Sequence, residues 1–102
     1  MFMRITWGQL QPGAWDPFMV KYHEVADPAT PGLLARWVVQ DTNNTDSMFA
    51  ITLWDTRESI RAWETSDDYR GRFLPAVEPF MIGSYSVSVS EVRYACPPPP
   101  PG

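Results

Sequence analysis

The sequence predicts an α+β fold of the split β-α-β-β-α-β type, in which a four-stranded antiparallel sheet carries both helices on one face. Three observations carry that reading. Strand-like alternation opens and closes the chain, in FMRITWG at residues 2–8 and IGSYSVSVSEVRY at residues 82–94. Two further runs of strand formers, LLARWVVQD and SMFAITLW, stand in the middle and are joined by the polar turn DTNNTD. Stretches with helical spacing fill the two gaps that remain. This order is the ferredoxin-like plan.

Each element has a local cause. Gln11-Pro12-Gly13 is a turn signal after the first strand. Asp16-Pro17 supplies an N-cap followed by proline at the first helical position, where its missing N–H costs nothing. Phe18, Tyr22 and Val25 follow at i, i+4 and i+7 as one apolar helix face, which Asp27-Pro28 ends. Pro31-Gly32 opens the second strand, and the third ends at Trp54. Asp55 caps the second helix, with Glu58 three residues on in a capping-box pattern. Ser66-Asp67 starts a further helical segment with Tyr69 and Phe73 one turn apart, and Pro75 and Pro79 break it up. In the last strand Tyr85, Val87 and Val89 alternate with Ser86, Ser88 and Ser90, an apolar face against a small polar one. The tail CPPPPPG cannot join a sheet ladder and reads as an exposed polyproline II extension. The expected organisation is one domain over residues 1–94 and a proline-rich tail over residues 95–102.

Composition narrows the function. A chain of 102 residues supports one core, and 44% hydrophobic content with 14% aromatics reads as globular. A net charge of -4 with scattered basic residues argues against nucleic acid and against an anionic membrane surface. No apolar run approaches the roughly 20 residues of a bilayer span. The N-terminal MFMRITWGQL lacks the basic-then-apolar layout of a signal peptide, so the expected location is cytoplasmic, and the match at Asn43-Asn44-Thr45 to a glycosylation acceptor reads as chance. The single cysteine, Cys96, makes no internal disulfide, and no cluster has metal-ligand spacing. No arrangement of His, Cys, Asp and Glu suggests a hydrolase, and no glycine-rich loop suggests a nucleotide.

The strands raise a second question. Apolar side chains point both ways in the middle strands, with Leu33, Ala35, Trp37 and Val39 on one side and Leu34 and Val38 on the other. A sheet with one solvated face shows clean alternation instead. With no segment left over to cover the second face, the expected cover is a second copy of the chain, sheet packed on sheet.

Pro12-Gly13, the amphipathic helix, Pro31-Gly32 and then LWDTRESIRAWETSDDYR make the chain resemble the antibiotic-biosynthesis monooxygenase domain over residues 2–94. The strand tryptophan Trp54 followed by the helix tryptophan Trp63 and then Ser66-Asp67 is the most specific part. The resemblance implies a dimeric α+β barrel with one pocket per subunit between helices and sheet. It implies a superfamily of cofactor-independent quinone-forming monooxygenases, haem-degrading enzymes and isomerases, among which fold alone does not choose.

Trp63 matches the helix tryptophan implicated in both oxidative branches, while as an i+3 neighbour of Ile60 it also seats the helix on the sheet. Trp54 reads as packing at the chain reversal. Where the haem-degrading branch carries its ligating histidine this sequence has Phe73, and where that branch carries a first-strand asparagine it has Thr6. The quinone-forming branch pairs the helix tryptophan with an asparagine one turn earlier, and here that residue is Ser59. The resemblance thus points to a cofactor-free oxidation of a phenolic or polycyclic aromatic, with no cofactor and no metal. Phe18, Tyr22, Trp63 and Phe73 are the expected walls, and Thr6, Ser59 and Tyr69 the polar groups. Arg72 is the expected phenolate partner at the pocket edge, and His23, the one side chain with an ordinary pKa near neutrality, is the natural base if it faces the pocket. An oxygen-independent cyclase or isomerase and a non-catalytic ligand-binding dimer are the competing readings.

Overall fold

Residues 1–98 are described by the structure, a computed structural model. The order is β1 (Phe2–Leu10), α1 (Trp15–Val25), β2 (Leu33–Gln40), β3 (Ser47–Trp54) and α2 (Arg57–Glu64). A π-helical turn (Asp68–Phe73), α3 (Leu74–Val77) and a 3-10 turn (Glu78–Phe80) then lead into β4 (Met81–Glu91). The strands form one antiparallel sheet in the order β2-β3-β1-β4. This is the expected ferredoxin-like α+β architecture.

Cross-strand register decides which side chains meet the helices, because directly paired residues share a face. Arg4 pairs with Thr52 and Thr6 with Ala50, and Arg36 pairs with Thr52 from the other side. This parity faces the core, which joins Leu10, Met48 and Trp54 of the sheet to Phe18 and Tyr22 of α1 and to Ile60 and Trp63 of α2. Trp54 is 0% exposed, and its indole N–H donates to Thr52 Oγ1 at 2.8 Å. Burying residues such as Phe18, Leu10 and Ile60 contributes about 1.5–3 kcal/mol each.

The opposite parity carries Ile5, Trp7, Phe49, Ile51, Trp37 and Val39, none of which belongs to the core cluster. Trp7 and Trp37 stay 45% and 47% exposed there. Leu33, expected beside Trp37, packs instead on the core, because the register shifts between Leu33 and Ala35 and the extra residue turns it over. Val87 and Val89 keep the expected parity, paired with Thr6 and Arg4, but lie on the edge strand and remain exposed.

Both helix starts differ from expectation by one or two residues. The cap of α1 is Ala14, not Asp16, since the turn at Gln11 feeds straight into the helix: the Ala14 N–H donates to Gln11 O, and Ala14 O accepts from the Phe18 N–H. Pro17 still falls in the first turn, where no backbone donor is lost. In α2 the cap is Thr56, whose hydroxyl accepts from the Ser59 N–H at 3.1 Å. Asp55 instead accepts from the Thr56 N–H, and a hydrogen bond from Ser59 holds its carboxyl below the usual carboxylate range. Pro75 and Pro79 break the following segment up as expected, each standing at the start of a new helical turn. Of the proline-rich tail, residues 95–98 lie outside any helix or strand and the rest lies outside the described residues.

Candidate functional site

The core does not close completely between helices and sheet. A cavity of about 50 Å³ remains over the middle of the sheet. Its floor is Arg4, Thr6, Arg36, Ala50 and Thr52, with Met48 beside them. Phe18 and Tyr22 wall it from α1, Trp63 from α2, and Tyr69, Phe73 and Leu74 from the helical segment that follows. Tyr85 closes it from β4.

The aromatic wall is continuous. Trp63 lies 5.1 Å from the Tyr69 ring and 5.6 Å from Phe73 between centroids, and Phe73 meets Tyr22 edge-on at 5.5 Å. Behind Trp63 stands Trp54 at 6.5 Å, outside the cavity lining. Edge-on and tilted contacts of this kind suit the ring quadrupoles and fix the side chains relative to one another.

Two arginines give the floor its electrostatics. Arg4 spends its guanidinium on three partners: Nε donates to Glu64 Oε2 at 2.8 Å, Nη1 to Thr6 Oγ1 at 3.3 Å and Nη2 to the Tyr69 hydroxyl at 2.8 Å. Because the Tyr69 oxygen accepts from Arg4, its own O–H is free to donate elsewhere. Arg36 repeats the arrangement across Thr52. Its Nη1 donates to the Tyr22 hydroxyl at 2.9 Å, and its guanidinium lies 5.7 Å and 5.8 Å from the Tyr22 and Phe73 ring centroids. Burial pushes the Tyr85 phenol above its ordinary value, and the neighbouring Tyr69 adds to the shift. The arrangement presents aromatic ring faces and hydrogen-bond donors to one small cavity.

Six of the residues expected from the sequence meet here: Thr6, Phe18, Tyr22, Trp63, Tyr69 and Phe73. Three do not. His23 follows Tyr22 on α1 and so turns away, exposed beside an open depression lined by Ala26, Pro28 and Leu33. Ser59 is held by the helix cap, with its hydroxyl 3.0 Å from Thr56 Oγ1, and borders an outer groove on the other side of Trp63. Arg72 precedes Phe73 and points to solvent, where it is ion-paired with Asp68. Arg4, Arg36, Thr52 and Tyr85 were not anticipated. The available signal was a charged residue in the middle of each of two apolar strands, at the parity that meets the helices.

The lining contains no histidine, cysteine or carboxylate, and no group of three or more such residues among the described residues could hold a metal ion. No helix among the described residues is long and apolar enough to cross a membrane.

The family profile described as antibiotic biosynthesis monooxygenase matches residues 1–71. No curated protein matches the chain. A variant of SnoaB, a cofactor-independent oxygenase from Streptomyces nogalater, has a similar structure at TM-score 0.81 and 14% identity, over 95% of this chain and 97% of that one. An antibiotic biosynthesis monooxygenase is similar at TM-score 0.75 and 18% identity, over 90% and 98% of the two chains. A variant of MhuD with two manganese protoporphyrin IX bound per active site is similar at 0.77 and 18%, over 93% and 97%. At these identities the structural likeness is one of fold.

Proposed function

The chain belongs to the antibiotic biosynthesis monooxygenase family, and from that premise we propose that it is a cofactor-independent monooxygenase oxidising a phenolic or polycyclic aromatic metabolite to a quinone with dioxygen. The observation that carries the reading is the cavity itself, an aromatic box floored by two arginine–tyrosine pairs.

An anthrone-like substrate supplies its own electrons. Loss of a proton from the ring methylene gives an enolate, which passes an electron to dioxygen. The radicals combine to form a C–O bond, and loss of water leaves a carbonyl where the methylene was. In sum, CH₂ and O₂ become C=O and H₂O. The protein has to bind the ring, stabilise the enolate oxygen and keep bulk water from the intermediates. The Tyr69 O–H, oriented by Arg4, and the Tyr22 O–H, oriented by Arg36, are the donors for that oxygen. Each unit by which they lower the substrate's pKa corresponds to about 1.4 kcal/mol. With no imidazole or carboxylate in the lining, the proton passes to water from a substrate already made acidic by these bonds.

A tricyclic ring needs more room than about 50 Å³, so binding displaces part of the wall. The segment Asp68–Phe80 is the part that yields: it passes through π, α and 3-10 winding and carries Tyr69, Phe73 and Leu74. Such short turns have poorer hydrogen-bond geometry than a regular helix.

The same enolate-stabilising donors would serve an oxygen-independent cyclase or isomerase, and the requirement for dioxygen separates the two. The working form in this reading is a homodimer joined through the outer sheet faces, supported by the uncovered Ile5, Trp37, Val39 and Ile51. A cytoplasmic location remains part of the proposal.

The test is oxygen uptake by purified, metal-free protein given an anthrone or a dihydroquinone. Uptake above the spontaneous rate, reduced several-fold in Trp63→Phe, is expected. Uptake at the spontaneous rate across a panel of such substrates, with the protein folded, would overturn the oxygenase.

A further inference from the structure

Arg36 is the residue whose chemistry the fold leaves unfinished. Its Nη2 is the one buried side-chain nitrogen or oxygen among the described residues with no hydrogen-bond partner. Arg4, in the same cross-strand row, shows what a completed arginine looks like here: every nitrogen is engaged and Glu64 balances its charge. Arg36 has no such carboxylate, for the ion pairs among the described residues join Arg4 to Glu64, Lys21 to Glu24 and Arg72 to Asp68. A guanidinium stays protonated at any physiological pH, so the charge cannot be relieved by losing a proton. The rings of Tyr22 and Phe73 lie against the guanidinium but offer no oxygen to its free N–H.

Position adds to chemistry. Arg36 lines the cavity and also the open depression bounded by His23, Ala26, Pro28 and Leu34. The residue therefore lies between the aromatic box and the depression. Two donors neighbour each other there: the free, buried Nη2 of Arg36, and the O–H of Tyr22, whose oxygen is already accepting from Nη1. A pair of neighbouring donors beside a positive charge is the arrangement that an anionic oxygen group completes.

We infer that the natural ligand is an aromatic acid, carrying an anionic oxygen at one edge of its ring, and that Arg36 is the residue that selects for it. The inference rests on the reading of the cavity as an aromatic binding site. The ring lies between Trp63 and the sheet, and the anionic edge faces Arg36 and the depression. Arg36 thus sets specificity, while Arg4 positions Tyr69.

Calorimetric titration at pH 7 tests this with two matched pairs of probes. One pair is 2-naphthoate and its methyl ester, a carboxylate and its neutral counterpart. The other is 2-hydroxy-1,4-naphthoquinone, present as its enolate, and 1,4-naphthoquinone. At least one anion binds tenfold or more tightly than its neutral partner, and which pair shows the larger preference tells carboxylate from enolate. Arg36→Met abolishes the preference by weakening the anion tenfold or more relative to its neutral partner, while Tyr22→Phe, which keeps the guanidinium, reduces it in part. Equal binding of anion and neutral probe to the unaltered protein overturns the role of Arg36 but leaves the aromatic cavity standing. A preference that survives Arg36→Met also overturns it. Failure of all four probes to bind overturns the inference together with the reading of the cavity.

Discussion

Arg4 and Arg36 do the same thing to different tyrosines, and the difference between them comes from one residue, Glu64. Neither arginine stands out in the sequence, because a lone charge within an alternating strand reads as part of a polar face. Their meaning depends on a row of three strands and on Tyr69, whose placement beside Arg4 spans 65 residues of chain. The wall residues were legible for the opposite reason. Phe18 and Tyr22 follow helical spacing, so their common direction is set locally. His23, one position further on, is turned out by the same geometry. Tyr85 supplies a pH test at this scale. Burial raises its phenol pKa, so as pH rises the unfolded chain loses this proton first. The associated stability is whole below the unfolded value near 10 and is lost as pH rises through the folded one. Ultraviolet titration of phenolate is expected to show a step above pH 10 that Tyr85→Phe removes; an unchanged curve there would contradict the burial.

At the scale of elements, local signals located every strand and helix but misplaced the starts of α1 and α2. Asp55 with Glu58 is the capping pattern the sequence offers. Thr56 prevails because its hydroxyl reaches the Ser59 N–H, while Asp55 is drawn back onto Thr56. Pro75 and Pro79 divide the segment after α2, because a proline that starts one helical turn cannot continue the one before it. The resulting run of short turns is the wall proposed to yield to a ligand, and Gly71 lies within it. A Cβ at Gly71 meets nothing within 4 Å. Gly71→Ala is therefore expected to stabilise the protein by about 0.4–1 kcal/mol in denaturant unfolding, and to slow ligand association in stopped-flow fluorescence. Association at the unaltered rate in a stabilised variant would place the moving wall elsewhere.

For the molecule as a whole, the order of elements was readable because each carries its own start signal and the split β-α-β-β-α-β plan has few alternatives. The uncovered sheet face was readable too, from apolar residues on both sides of β2 and β3. The exchange of Leu33 between faces was not, since a bulge leaves no mark in an alternating run. Trp37 is 47% exposed near the middle of that face. Trp37→Arg puts a charge into a sheet-on-sheet contact and is expected to convert a dimer to a folded monomer in sedimentation equilibrium. A monomeric unaltered protein, or a dimer indifferent to the substitution, would contradict the proposed assembly.

What the cavity holds is read most directly from a crystal structure with 2-hydroxy-1,4-naphthoquinone bound. The ring is expected between Trp63 and the sheet, with an oxygen within hydrogen-bonding distance of Arg36 Nη2 and the Asp68–Phe80 segment displaced outward. A ligand seated in the outer groove beside Ser59, with the cavity still closed, would contradict it.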